Sequence, residues 1–342
     1  MSPLSVFYGA LTRSRRALYR KGILKTHDLG VPVVSIGNIT AGGTGKTPLV
    51  AWFARRLYEE GKRVCILTRG YGRENPSKRI IVSDGKEIFA DALSGGDEPV
   101  MLAENLIGKA AIISDADRVS AGLWAKENFR SDCFILDDGF QHLRIKRSFD
   151  VVAIDATNPF GGENLLPRGR LREPLESLKR ADCIIITKTN LVEDTNEIAE
   201  KIKDYTDSPV LLTRFRVTKA ANVKNKETVD LKDLPQPISA FCAVGNPLAF
   251  FSQVKKENLS IVCGKAFRDH HRYMQRDVEG IEQQAKEKGA RCLITTAKDA
   301  VKLGDLKFEL PCYALEAEIE IDESERLREL LITAINHSHQ PQ

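Results

Sequence analysis

Apolar residues arrive in short blocks along the first two thirds of the chain. "VPVVSIGN" (31–38), "RVCILTRG" (63–70), "AAIISD" (110–115), "CFILDDG" (133–139), "VVAIDAT" (151–157) and "CIIITK" (183–188) are runs of strand length, rich in Val and Ile. Between them lie stretches with helical spacing: "TPLVAWFARRLYEE" (47–60), which stops at Gly61, "EPVMLAENL" (98–106) and "RVSAGLWAKEN" (118–128). Short β-branched strands alternating with amphipathic helices predict an α/β fold, with a mostly parallel sheet flanked by crossover helices. In such sheets a ligand sits beyond the carboxyl ends of the strands.

The pattern lapses once. Residues 216–237, "RVTKAANVKNKETVDLKDLPQP", are polar and lack a strong period, which predicts a domain join. Alternation then resumes with "ISAFCAVGN" (238–246), "SIVCGKAF" (260–267), the helical "VEGIEQQAKEKG" (278–289), "RCLITTAKD" (291–299), "CYALEAEIEI" (312–321) and a closing helix at 324–336. The expected organisation is a basic amphipathic segment (1–28), a nucleotide-binding core (29–215) and a smaller α/β region (216–342) that closes over the site. "HSHQPQ" (337–342) reads as a frayed tail.

Composition changes this picture little. The chain has 342 residues, 42% of them hydrophobic and 29% charged, as in an ordinary soluble globular protein. A net charge of +4 is too small to argue for nucleic acid. Its distribution matters more: residues 1–26 hold Arg13, Arg15, Arg16, Arg20, Lys21 and Lys25 with no acid, interleaved with Leu4, Phe7, Tyr8, Leu11, Leu18 and Tyr19. That pattern predicts a helix lying on an anionic lipid surface, against the plainer reading of a domain-capping helix with a solvated basic face. No apolar run reaches the ~18 residues of a membrane span, and no secretory signal is present. Seven scattered cysteines with no C-x-x-C fit buried thiols in a reducing compartment.

The chemistry is signalled by "SIGNITAGGTGKTP" (35–48). A strict phosphate-binding loop, G-x-x-x-x-G-K-[ST], would need glycine where Thr40 stands. The phosphate-handling parts are nonetheless present. In Thr40, Ala41, Gly42, Gly43, Thr44 and Gly45, the glycines let backbone N–H groups turn toward an anion. Lys46 supplies a cation for the β- and γ-phosphates, Thr47 a hydroxyl for Mg²⁺, and the helix behind them its positive end. Asp137 and Asp138, after an apolar run, are the expected carboxylates for the metal.

The kind of nucleotide enzyme is narrowed by what is missing. A guanine switch would carry N-K-x-D; the nearest string, "TKTN" (187–190), lacks the Asp, so adenine is favoured. A partitioning ATPase would have Lys where Ala41 stands. A small-molecule kinase remains, and it needs a base near its acceptor hydroxyl. Asp97 in "SGGDEP" is one candidate, although Asp also suits a helix N-cap. "FRDHHRY" (267–273) adds Asp269, His270 and His271, and "DDGFQH" and "LPRGRLREP" add further polar groups.

Taken in order, "GNITAGGTGKTP", "TRGYGR", "GDEP", "DDGFQH", "LPRGRLREP", "FRDHHRY" and "TTAKDAVK" resemble the tetraacyldisaccharide 4′-kinases, the lipid A 4′-kinases of Gram-negative bacteria. The match runs from residue 37 to residue 302. The resemblance implies transfer of the ATP γ-phosphate to the 4′-hydroxyl of a tetraacylated glucosamine disaccharide 1-phosphate, with Mg²⁺, at the cytoplasmic face of the inner membrane. It implies that Lys46 and Thr47 serve phosphate and metal, and that Asp137, Asp138, Gln141, His142 and Glu173 belong to the metal and phosphate region. It assigns Asp97 as the catalytic carboxylate, helped by His270, with His271 as the alternative register. Arg69, Arg73, Arg168, Arg170 and Arg172 are candidates for nucleotide or substrate phosphates, since guanidinium forks match phosphate oxygens. No nucleic acid and no obligate protein partner is expected. The alternatives are a P-loop kinase for another amphiphilic sugar, or a nucleotide-gated membrane-associated ATPase without an acceptor.

Overall fold

In the computed structural model, which describes residues 3–337, the chain begins with helix α1 (Pro3–Arg20) and strand β1 (Val33–Asn38). There follow α2 (Lys46–Glu59), β2 (Val64–Thr68), β3 (Ile80–Ser83), α3 (Ala92–Gly95), α4 (Asp97–Asn105), β4 (Ala110–Ser114), α5 (Arg118–Asn128), β5 (Cys133–Asp137), β6 (Phe149–Asp155) and β7 (Cys183–Thr187). The second half comprises α6 (Asn196–Lys203), β8 (Val210–Asn222), β9 (Thr228–Asp230), β10 (Ile238–Cys242), α7 (Pro247–Lys256), β11 (Ile261–Ala266), α8 (Gln275–Glu287), β12 (Cys292–Thr296), α9 (Ala297–Ala300), β13 (Cys312–Ile321) and α10 (Ser324–His337). Residues 338–342 of the expected tail lie outside the described residues, and His337 closes the last helix.

The strands form one sheet in the order β11-β10-β12-β13-β8-β7-β6-β1-β5-β2-β4-β3, with β9 on β8. From β8 through β4, the strands pair in parallel. The expected parallel core follows from burial on both faces. Val34 and Ile36 point into a cluster with Leu49, Phe53 and Leu57 of α2, while Val33 packs on the opposite face with Phe134 and Leu136 of β5. The helices accordingly cover both sides, and the carboxyl ends of β1, β5, β2 and β6 open onto one edge.

A 13-residue strand crosses the stretch read as a polar join. The first residues of β8 pair with β7, and the rest pair antiparallel with β13. Its alternating exposed residues, such as Arg214 and Lys219, give a polar average that hides the strand. The closing helix α10 also crosses back, burying Leu327, Leu331 and Ile335 in the same cluster as α2. Segments on either side of residue 216 are thus interleaved through one sheet. The seven cysteines are free thiols, six of them buried.

The candidate active site

The loop after β1 turns as its glycines permit. Gly42 has φ 122° and Gly45 φ 75°, backbone that side chains rarely adopt, and α2 starts at Lys46. A Cβ at Gly45 would lie 2.7 Å from the Phe215 ring. Lys46 Nζ stands 3.3 Å from Asp138 Oδ1, and Thr47 is half-buried in the first helical turn. Asp138 has φ 50° and accepts a two-pronged bond from Arg172, at 2.7 and 2.9 Å. Burial pushes the Asp138 carboxyl up, but the cations Lys46 and Arg172 outweigh it and hold the group far below the usual range.

Asp137 behaves differently. Its Oδ2 accepts from Thr68, whereas its buried Oδ1 has no hydrogen-bond partner among the described residues. Burial, then the charges of Glu98 and Asp138, pushes its carboxyl up to about 6. A buried carboxylate oxygen without a donor, beside a phosphate cradle, fits a cation ligand. Among the described residues no group of three or more His, Cys, Asp or Glu could hold a metal alone. Mg²⁺ typically takes one or two carboxylates and completes its shell with phosphate and water.

About the second carboxylate the two halves of the chain meet. Asp97, 4% exposed, starts α4 after Gly96, and its Oδ2 lies 2.9 Å from His270 Nδ1. Gly70 allows this approach, since a Cβ there would stand 2.8 Å from Ser114 Oγ and 2.9 Å from the Gly95 carbonyl. Burial raises the Asp97 carboxyl, but the His270 hydrogen bond and the charges of Lys298 and Lys302 hold it below the ordinary value. His271 turns the other way, stacked on Phe267 and 3.1 Å from Asp277, so the residue that reaches Asp97 is His270.

Other expected residues divide. Gln141 donates to the Asn38 carbonyl at the root of the phosphate loop, and Arg170 reaches across Gly42 to the Gly245 carbonyl. Arg69 is exposed. Arg73 is no free phosphate ligand: it is buried and donates to the Ser114 and Pro76 carbonyls, pinning the loop after β2. Arg168 is exposed, and its backbone N–H donates to Ser5 of α1. Glu173 is buried between Arg180, at 3.0 Å, and Arg16, at 3.5 Å, a setting that already neutralises it and ties α1 to the core. His142 is half-buried, and desolvation with neighbouring arginines holds its imidazole down to about 3, so it is neutral.

Four groups were not singled out from sequence. Buried Arg118, at the start of α5, donates to the Asp138 carbonyl; nothing in "DADRVS" marks it. Lys188, with φ 58°, donates to Asp155 at 2.5 Å and to the Gly43 carbonyl at 2.7 Å, propping the phosphate loop from below. It is the lysine of "TKTN", a string tested only as a guanine reader. Asn246, from the loop before α7, donates to Asp155 and Thr157, and a Cβ on neighbouring Gly245 would stand 2.8 Å from the Gly43 nitrogen. Lys298 bridges Glu98, Asp269 and His270.

The family described as Tetraacyldisaccharide-1-P 4′-kinase (LpxK) matches residues 1–336. The chain belongs to this kinase family. A tetraacyldisaccharide 4′-kinase of Desulfotalea psychrophila is 38% identical, over 91% of this chain and 90% of that protein. One from Geobacter sulfurreducens is 39% identical, over 92% and 87%. Among solved structures, LpxK from Aquifex aeolicus in complex with ATP superposes with a TM-score of 0.77 at 30% identity, covering 97% of this chain and 98% of that one. Thr40 in the phosphate loop is therefore compatible with a kinase of this family.

Proposed function

We propose that the protein transfers the γ-phosphate of ATP to the 4′-hydroxyl of a tetraacylated glucosamine disaccharide 1-phosphate, with Asp97 as the proton acceptor. The observation that carries the reading is the 2.9 Å contact between Asp97 and His270, made across the two halves of a chain that also presents a phosphate loop. Phosphoryl transfer needs positioning and charge neutralisation, with a carboxylate to take the hydroxyl proton. Backbone N–H groups of residues 42–46 and the Lys46 ammonium hold the phosphates. Thr47 and Asp137 would hold the metal, while Arg172 and Arg118 keep Asp138 in place. Mg²⁺ held there would supply neutralisation of the phosphate charge. Asp97 accepts the 4′-hydroxyl proton as that oxygen bonds to the γ-phosphorus and the bond to the β-phosphate oxygen breaks, releasing ADP. His270 orients the Asp97 carboxylate.

The same proposal includes the partition into 29–215 and 216–342, whose closure brings His270 to Asp97. It also places the enzyme at the cytoplasmic face of the inner membrane. Helix α1 supports this: it packs Ser5 and Gly9 against the core while Leu4, Phe7 and Leu11 are 64%, 63% and 53% exposed beside the arginines. Among the described residues no helix is long and apolar enough to cross a membrane.

The test is transfer of labelled γ-phosphate from ATP to the acylated disaccharide 1-phosphate in detergent micelles. Labelled lipid is the expected product. ATP hydrolysis with no label in lipid would instead indicate a nucleotide-gated ATPase.

A further inference from the structure

His270 is touched on both ring nitrogens. Nδ1 faces the Asp97 carboxylate at 2.9 and 3.1 Å. Nε2 faces Lys298 Nζ at 3.3 Å, while the nearest carboxylate oxygen to Nε2, Asp269 Oδ1, is 3.8 Å away and beyond hydrogen-bond reach. An ammonium has three donors and no acceptor, so Nε2 must present its lone pair to Lys298. The ring proton then resides on Nδ1, aimed at Asp97. Lys298 is itself fixed: it is largely buried, 2.8 Å from Glu98 Oε1 and 3.3 Å from Asp269 Oδ1. Burial disfavours its charge, but Glu98, Asp97 and Asp269 more than compensate and hold the ammonium firmly protonated.

We propose that Lys298 is a positioning residue that holds His270 as the neutral Nδ1–H tautomer, so that the imidazole orients Asp97 by donation without becoming an imidazolium. This rests on the reading of Asp97 as the proton acceptor. The distinction matters for the base. An imidazolium beside Asp97 would lower the carboxylate's proton affinity and make it a poorer acceptor. The ring also lies beside the carboxylates of Asp97 and Asp269, and Lys302 stands 3.9 Å from Asp97 Oδ2. The Tyr71 ring, 5.0 Å from it, carries no charge. Lys298 therefore occupies the Nε2 lone pair and leaves the ring proton on Nδ1, facing Asp97.

The experiment combines nitrogen-15 NMR of the histidine-labelled full chain with kinetics of Lys298→Met and Lys298→Arg. In the wild type, His270 should show a protonated Nδ1 and an accepting Nε2. In Lys298→Met, His270 should lose that fixed tautomer, and kcat should fall at least ~10-fold with KM for ATP near wild type. Lys298→Arg should restore the wild-type tautomer and most of kcat. A wild-type His270 without the Nδ1–H tautomer, or an unchanged tautomer in Lys298→Met, would overturn the proposal. The NMR result stands whatever lipid is phosphorylated. Failure of labelled transfer to the disaccharide, with the tautomer as expected, would remove the acceptor assignment and leave the Lys298 geometry intact.

Discussion

At the scale of single residues, two adjacent aspartates do different work because their surroundings differ. Asp138 is saturated by Lys46 and Arg172, whereas Asp137 keeps a buried oxygen without a donor among the described residues. Sequence offered both as metal ligands and could not divide them, since the division depends on an arginine 34 positions away. The family resemblance groups Glu173 with them, whereas its two arginine partners are visible only in three dimensions. Asp97 gives a stability prediction. Its carboxyl is held below the ordinary value, so its ionised pairing contributes above about pH 4 and is lost as pH falls through the folded-state pKa. Urea midpoints of wild type and Asp97→Asn should therefore run parallel from pH 7 to pH 5 and converge in acid, where the wild type loses more. Parallel curves throughout would mean that the pair adds nothing to folding.

At the scale of elements, the long apolar strands and the α2 helix were legible because burial on both faces writes a continuous pattern. Strand β3, helices α6 and α7, and strand β8 were not read. The visible part of β8 is an edge-like alternation, and α6 is short, with only Ile198 and Ile202 buried. Helix α1 was legible as amphipathic, but which face meets the core was not. The core takes the small residues, and a Cβ at Gly9 would stand 2.7 Å from Leu165 Cδ1. The large apolar side chains are left outward, where transfer to lipid gains about 1.5–3 kcal/mol per fully buried Leu or Phe. Replacing Phe7 and Leu11 with Glu should therefore abolish sedimentation with anionic vesicles and leave the thermal midpoint within a few degrees of wild type. Undiminished vesicle binding would reduce α1 to a capping helix.

At the scale of the whole molecule, the site is assembled from both ends of one sheet. The phosphate loop, Asp137 and Asp97 come from the first half; His270, Lys298 and the Gly245–Asn246 loop come from the second. Ordered strings such as "GDEP" and "FRDHHRY" signalled that these belong together, but their contacts depend on close backbone approaches. Gly245 lies against the Gly43 nitrogen, which cannot yield to a side chain. Gly245→Val should prop the loop away and lower kcat/KM for ATP by at least ~10-fold, as small misplacements at reacting centres do. A wild-type kcat/KM would show that this contact is not needed for nucleotide use. The most direct test of the cross-region acid–base pair is single-turnover phosphate transfer by Asp97→Ala at saturating ATP and acylated acceptor. A rate slower by about 10²–10⁴-fold, with ATP affinity near wild type, is expected; transfer at the wild-type rate would contradict Asp97 as the proton acceptor.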